Sequence, residues 1–256
     1  MGTQANHKES DRAQSLFKGL LVLQSFTEGH QQMSLTEVAE AVNMNLATTR
    51  RFLLTLVDLG YLNQDGKRYT LTPKVMTLGY NYLSNQPWWK LANPVAEEIS
   101  RELKESCSIG VLSNDQLIFV ARAQGPRVFA INLSPGRIVP VHAAGIGRVL
   151  LAEMSDAQLD DFFERNPPVK LTQHTVTNLS SIRAELENVR RMGHSIVDQE
   201  LDEGLLAISV PIRDASGKAV AALGISTQAQ RYTNDDLRKN FLPVLLKGAE
   251  QIGKIF

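Results

Sequence analysis

Two pairs of basic residues carry the side chains best suited to chemistry in the first third of this chain. Arg50 and Arg51 follow the small residues of an Ala-Thr-Thr run, and Lys67 and Arg68 follow an Asp-Gly pair. Arginine and threonine can reach base edges, basic side chains can contact phosphates, and a small alanine allows close approach to a groove. We therefore predict a DNA-contacting set of Ser34, Ala47, Thr48, Thr49, Arg50, Arg51, Lys67 and Arg68.

The elements that must position these side chains have clear sequence signals. Ser34 and Glu37 form a capping-box pattern at the start of a short helix, and an Asn-Met-Asn run from 43 to 45 breaks it. A second amphipathic helix is predicted over 46–59, ended by Gly60, with Leu46 and Thr49 on its inward face. With a helix beneath them over 15–28, the pair is a helix-turn-helix candidate whose second helix would enter the major groove.

A β-hairpin is predicted directly after Gly60. Residues 61–64 and 67–71 flank the Asp65-Gly66 pair, which we expect to form the turn. This hairpin would be the wing of a winged helix. A small helical bundle with solvated arginines is the competing interpretation, and the ordered combination of cap, turn, basic helix and basic hairpin disfavours it.

The composition excludes some classes of protein but does not by itself indicate a function. The 256 residues balance 27 basic against 27 acidic side chains, so overall charge does not indicate nucleic acid. The single Cys107 excludes an intramolecular disulfide framework and fits a cytoplasmic protein. Residues 1–12 are expected to be loosely attached, and no apolar run approaches a membrane span of ~18 residues, so no membrane partner is expected.

The rest of the chain predicts a connector and a second domain. We divide it into a DNA-binding domain over 1–72, a helical linker over 73–87 and an effector-binding and oligomerisation domain over 88–256. The linker has an apolar stripe that a partner subunit of a two-fold dimer would cover. Helices over 88–104, 155–165, 179–192 and 233–256 alternate irregularly with strands, including one over 128–133, which predicts an α+β fold with an antiparallel sheet.

A small-molecule site is predicted where a strand is expected to end at His142. The small residues from Ala143 to Gly147 would begin a helix whose free N–H groups could hold a carboxylate, with Arg137 or Arg148 adding a bidentate contact. Close packing of helix on sheet is an alternative reason for these glycines. The third glycine of a dinucleotide fingerprint is missing, so no cofactor is expected.

Neither a metal site nor a catalytic site is predicted. The acidic residues Asp198, Glu200, Asp202 and Glu203 match no standard metal-binding loop, and we interpret them as a solvated turn. No nucleophile elbow or zinc-binding His-Glu-x-x-His helix is present. The residues therefore do not favour an enzyme.

Two separated segments resemble one family, the IclR-type bacterial transcriptional regulators. They are Ser34 to Ala39 with Ala47 to Leu53 and Leu59 to Leu62, and the run from Arg137 to Ala152. The resemblance implies an N-terminal winged helix-turn-helix, mainly α with a β-hairpin wing, plus a C-terminal α+β GAF-like effector domain, assembled as a homodimer or a dimer of dimers. It also implies an effector pocket lined by Gly145, Ile146, Asp198, Glu200, Ala207 and Ser226.

The expected function is that of a sequence-specific regulator that binds a double-stranded DNA operator under control of a small carboxylate effector. Similar regulators respond to aromatic or dicarboxylic acids such as 4-hydroxybenzoate, protocatechuate or β-ketoadipate, and many control the catabolism of such compounds. The alternative is an enzyme acting on a small acid through the C-terminal domain, with the winged helix as a protein-interaction module. The full effector-binding set that we predict is Arg137, His142, Gly145, Ile146, Asp198, Glu200, Ala207 and Ser226.

Overall fold

A computed structural model describes residues 13–27, 29–86, 88–126 and 135–255. The chain divides into two compact units, Met1–Tyr82 and Leu83–Phe256. The loosely attached segment expected over 1–12 and the strand expected over 128–133 lie outside the described residues. No described helix is long and apolar enough to cross a membrane.

The first unit is a winged helix-turn-helix, as predicted. Three helices, α1 (Gln14–Gln24), α2 (Leu35–Ala41) and α3 (Leu46–Asp58), pack with a small sheet of β1 (Met33–Ser34), β2 (Leu62–Asp65) and β3 (Arg68–Leu71). The strand order is β1-β3-β2, with both pairs antiparallel. Val22, Val38, Leu53 and Leu62 are buried between these elements and form their shared core.

Three details of this unit differ from the sequence prediction. The hairpin loop is Gly66-Lys67 rather than Asp65-Gly66, because Asp65 pairs with Arg68 and Gly66 supplies the positive φ of 55°. Strand β1 was not predicted, since two residues are too short to show alternation. Leu46, placed on the inward face, is exposed, because it lies at the first turn of α3, beyond the reach of α2 and its core.

A helical segment follows the wing. Thr72 accepts a hydrogen bond from the Lys74 N–H at the start of a 3₁₀ turn, Pro73–Val75, and α4 (Met76–Ser84) follows. No residue of α4 is buried. The predicted linker is therefore helical, and it presents Met76, Leu78, Tyr80 and Tyr82 to solvent, whereas Leu83 is half-buried.

The second unit is an α+β domain built on a six-stranded antiparallel sheet, as predicted. The strands are β4 (Ser106–Ser113), β5 (Gln116–Ala123), β6 (Ile138–Val139), β7 (Ser195–Asp198), β8 (Leu205–Arg213) and β9 (Ala219–Gln228). Their order is β6-β5-β4-β9-β8-β7. Successive side chains of each strand point to opposite faces of the sheet, and both faces are buried beneath helices.

Each face of the sheet has its own helical layer. The outer face packs against α5 (Trp89–Leu103) and the closing helical segment, which comprises α9 (Asn234–Asp236), a π-helical stretch Leu237–Phe241 and α10 (Leu242–Gly253). The inner face packs against α6 (Gly145–Leu151), which α7 (Asp156–Arg165) and α8 (Leu179–Met192) cover. The inner layer positions the candidate small-molecule site.

The structure corrects the expected strand end at His142. Residues Val141–Ala143 form a 3₁₀ turn between the two-residue strand β6 and α6, and the Ala143 N–H donates to the Pro140 carbonyl. The proline at 140 removes a backbone donor, so the strand cannot continue its ladder through this position. Strand β7 was also missed, because its four residues follow a helix stop without a turn signal.

Candidate functional sites

Helix α3 holds the predicted groove-contacting residues at its N-terminal half. Asn45 caps the helix by accepting a hydrogen bond from the Thr48 N–H at 2.9 Å. Thr49, one of the predicted DNA contacts, is fully buried, and its hydroxyl donates to the Asn45 carbonyl at 3.0 Å, so its side chain faces the interior, as the helical periodicity predicts, and not the groove. Arg50 and Arg51 are exposed, as is Ala47, so this half of the helix presents two guanidinium groups and a small side chain to solvent.

The wing is fastened to α2 by a polar network. The Ser34 N–H donates to Glu37 Oε2 at 2.6 Å, and the Arg68 Nη1 donates to the same oxygen at 2.7 Å. The Glu37 N–H in turn donates to the Ser34 hydroxyl. The pKa of the Glu37 carboxyl group is lowered first by the Ser34 backbone N–H, then by the Ser34 side chain, and then by the charge of Arg68. Ser34 and Arg68 therefore fix the position of the wing, while Lys67 stands exposed in its loop.

The inner face of the sheet encloses a small cavity beside the start of α6. Its volume is about 20 Å³, which is room for about one water molecule. Of the predicted effector residues, Gly145, Ile146, Ala207 and Ser226 line it, and the structure brings them together from α6, β8 and β9. The other lining residues are Phe119, Ala143, Ala144, Val197, Leu201, Leu205, Ser209, Gly224 and Ile225.

Close approach between α6 and the sheet requires the glycines of this wall. A Cβ on Gly145 would lie 2.8 Å from the Ser209 hydroxyl, and a Cβ on Gly147 would overlap the Val141 carbonyl. A Cβ on Gly224 would lie 3.0 Å from the Ile146 side chain. The close-packing explanation of these glycines therefore describes this interface, and the same packing keeps the cavity small.

A buried ion pair ties α6 to the acidic turn after β7. Arg148 is 2% exposed, and its Nη2 donates to Glu200 Oε2 at 2.7 Å while its Nε donates to the His142 carbonyl. Glu200 also accepts a hydrogen bond from the Val176 N–H at 2.9 Å. The interpretation of this whole acidic turn as solvated is thus wrong for Glu200, because its charge is neutralised by an arginine from another element.

The remaining predicted effector residues lie outside the cavity lining. Glu200 is directed to Arg148, Arg137 is exposed, and Asp198 is exposed at the end of β7. His142 is buried with its Nε2 at 3.1 Å from the Val169 carbonyl, and burial lowers the pKa of the imidazole, so Nε2–H of the neutral ring is the donor. Their effector contacts stay predictions.

Metal and thiol chemistry find no support among the described residues. No cluster of three or more His, Cys, Asp or Glu side chains could hold a metal ion in the described ranges. Cys107 is fully buried on the outer face of the sheet, and burial raises the pKa of its thiol. It is a core residue with no nucleophilic character at neutral pH.

Sequence reasoning missed several cavity residues, notably Ser209 and Gly224. They are small residues at directly paired positions of β8 and β9 and point to the inner face. The alternation of each strand predicts which face they occupy, but the register that brings them under Gly145 depends on pairing between distant segments. No local motif marks them.

Comparison with known proteins agrees with this architecture. Residues 15–66 match the IclR helix-turn-helix domain, and residues 80–254 match the bacterial transcriptional regulator IclR C-terminal domain. Both matches fall on the elements described above and together cover most of the chain. The chain is a DNA-binding transcriptional regulator and belongs to the IclR family.

Two relatives are similar to the chain over nearly its whole length. The chain is 38% identical over 250 residues to the Pca regulon regulatory protein of Pseudomonas putida, covering 97% of this chain and 86% of that protein. It is 39% identical to a transcriptional regulator of Rhodococcus sp. RHA1 of known structure, with a TM-score of 0.83 and coverage of 95% of this chain and 98% of that one.

A further solved structure is that of an effector domain with a bound acid. It is the inducer-binding domain of a double mutant of the Acinetobacter PobR transcription factor, in complex with 3-hydroxybenzoic acid. It is 27% identical, with a TM-score of 0.63, and the match covers 67% of this chain and 99% of that one. The domain of this double mutant therefore holds an aromatic carboxylic acid.

Proposed function

We propose that the protein regulates transcription by placing α3 and the wing on an operator, with affinity set by a small carboxylic acid bound in the Leu83–Phe256 unit. The observation that carries the DNA-contact proposal is the exposure of Arg50 and Arg51 on the N-terminal half of a capped helix whose opposite face is buried. Exposed guanidinium groups at this position can read base edges or contact phosphates. The predicted enzyme alternative has no comparable feature in its favour.

Replacement of Arg51 tests the DNA contact. Arg51→Ala should weaken operator binding about tenfold to a hundredfold in a gel shift, because it removes a groove contact worth about 1–3 kcal/mol. Arg101→Ala, which changes an exposed arginine of α5, is the matched control and should bind as the wild type does. Equal retention of the duplex by both variants would remove Arg51 from the proposed contacts.

The effector proposal rests on the cavity under α6. Its wall of Gly145, Ile146, Ala207 and Ser226 combines small, apolar and hydroxyl groups, and the Acinetobacter relative binds 3-hydroxybenzoic acid in the corresponding domain. A cavity that accepts benzene measures about 150 Å³. An aromatic acid must therefore widen this cavity by moving α6 or the turn that carries Leu201, and that movement couples binding to the shape of the domain.

A thermal-shift screen of the full chain tests this proposal. We expect at least one of 4-hydroxybenzoate, 3-hydroxybenzoate, protocatechuate and β-ketoadipate to raise the melting temperature in proportion to the logarithm of its concentration. The same acid should change operator affinity in a gel shift. An acid that raises the melting temperature while leaving operator affinity constant would contradict control by the effector.

We further propose that the protein acts as a homodimer, alone or paired into a dimer of dimers, in the cytoplasm. Large apolar side chains of α1 and α4 are exposed, including Leu16 at 64%, Met76 at 77% and Tyr80 at 69%. Contiguous exposed apolar surface is typical of a protein interface. Met76→Glu with Tyr80→Glu should lower the mass measured by light scattering, whereas Lys90→Glu, on the exposed side of α5, should leave it constant.

A further inference from the structure

A row of polar and small residues crosses the inner face of the sheet in one register. Arg122 of β5 pairs with Ser108 of β4, Ser108 pairs with Gly224 of β9, and Gly224 pairs with Ser209 of β8. Gly224 and Ser209 line the cavity. On this face, Arg122 therefore stands two strands from Gly224, with only Ser108 between them.

The Arg122 side chain runs along this face toward the cavity. Its Nη1 lies 3.1 Å from the Ser108 hydroxyl, and Ser108 is 1% exposed. Phe119, which pairs with Gly110 further along the same face of β5, lines the cavity itself. The guanidinium is thus directed from β5 toward β9 and held beside the cavity wall.

The charge of Arg122 has no counter-ion among the residues that the structure describes. Its described hydrogen bond is to a neutral serine, whereas Arg148 on the same inner layer is neutralised by Glu200. Burial lowers the pKa of Arg122. A guanidinium that is partly withdrawn from water without a carboxylate is costly to the fold, and such groups concentrate at ligand sites.

We propose that Arg122 is the residue that recognises the carboxylate of the effector, with Ser108 as its positioning residue. The proposal rests on the proposed effector function and specifies which residue recognises the negative charge of the effector. Arg148 is committed to Glu200, and Arg137 is exposed on the approach to β6, so the geometry points to Arg122 rather than to either of these two arginines. A carboxylate in the widened cavity would pair with the guanidinium beyond Ser108, while its ring packs against Phe119 and Ile146.

The test compares charged and neutral forms of the same probe on the full-length protein. Binding of 4-hydroxybenzoate and 3-hydroxybenzoate is measured by calorimetry beside binding of 4-hydroxybenzamide and 3-hydroxybenzamide, which keep the ring and lose the charge. The wild type should prefer one acid over its amide. Arg122→Gln should reduce affinity for that acid about tenfold to a hundredfold and leave the amide within about twofold, because one charge-assisted contact is removed.

Three variants separate this role from a structural one. Arg137→Gln should keep the acid preference, Arg122→Lys should restore part of it, and Ser108→Ala should reduce it several-fold without changing the amide. If Arg122→Gln does not fold, the Ser108→Ala and Arg122→Lys results decide. Retained acid preference in Arg122→Gln, equal losses for acid and amide, or a loss in Arg137→Gln instead would each overturn the Arg122 assignment. A wild type that binds none of the acids would overturn the effector proposal itself, and with it this one.

Discussion

The two units differ in how their functional residues are placed. In Met1–Tyr82 the candidate contacts Arg50, Arg51 and Lys67 are exposed and lie within one helix and one hairpin, so neighbouring residues position them through a cap and a turn. In Leu83–Phe256 the cavity-lining residues are buried or half-buried and come from strands and helices far apart in the chain, and the buried Arg148 and Glu200 pair likewise joins residues 52 positions apart. The DNA-contacting surface is thus determined locally, and the effector cavity is determined by tertiary packing.

The largest expected effect comes from breaking the buried pair. Glu200→Ala should lower the free energy of unfolding of the second unit by about 3–5 kcal/mol, because it leaves the Arg148 charge buried and unpaired. Both tryptophans, Trp88 and Trp89, belong to this unit, so the fluorescence transition in urea reports it selectively.

An exposed ion pair provides the control for that substitution. Arg165 pairs with Asp115 at 2.8 Å with its side chain largely in water, and Arg165→Ala should leave the fluorescence transition near that of the wild type. If both variants shifted the urea midpoint equally, the Arg148 pair would have no special role in holding α6 to the acidic turn.

Alanine substitution of one glycine in each unit should change stability by an intermediate amount. Gly147→Ala should destabilise the second unit by about 1–3 kcal/mol or more, since its Cβ would overlap the Val141 carbonyl in a packed interface. Gly66→Ala in the wing meets no atom within 4 Å, and its φ of +55° alone should cost about 1–2 kcal/mol.

Tryptophan fluorescence, compared with circular dichroism and operator binding, distinguishes the effects of the two glycine substitutions. Tryptophan fluorescence should shift in Gly147→Ala and stay constant in Gly66→Ala, whose loss should be visible by circular dichroism and as weaker operator binding. A fully stable Gly147→Ala would show that the turn Val141–Ala143 can move away from α6 at little cost, contrary to the close contact at the Val141 carbonyl.

This difference also explains what could be predicted from the sequence. The capping box at Ser34, the positive φ at Gly60 and the buried Thr49 follow from residues a few positions away, and all three were anticipated. The α+β class and most helices of the second unit followed from periodicity. The loop of the wing was misplaced by one residue, because both Asp-Gly and Gly-Lys can occupy a two-residue turn and the register depends on β1 and β2.

The interior of the second unit was harder to predict. Whether Arg148 contacts a ligand or Glu200 depends on where the turn after β7 packs. The residues next to Arg148 and Glu200 in the sequence do not predict that packing. Ser209, Gly224 and Arg122 become neighbours only through the pairing of β5, β4, β9 and β8. Local pattern already indicated Gly145 and Ile146 at the helix start, whereas only the family resemblance supplied Ala207 and Ser226 of the cavity wall.

The smallest expected effect is a pH dependence of the second unit that originates at His142. Burial lowers the pKa of His142 in the folded protein below its value of ~6.5 in the unfolded chain. The unfolded chain therefore binds more protons than the folded one as the pH falls through this range, so this contribution is present above pH ~6.5 and is lost as the pH falls through the folded-state pKa.

Urea unfolding followed by tryptophan fluorescence at pH 7.5 and pH 5.5 measures this loss, and the window lies above the range in which ordinary carboxylates titrate. His142→Gln keeps a donor toward the Val169 carbonyl and removes the titration, so its stability should fall less between the two pH values than that of the wild type. The exposed His174→Gln should leave the wild-type slope intact. An undiminished slope in His142→Gln would locate the titrating group elsewhere and would mean that the turn before α6 tolerates a charged imidazole beside Arg148.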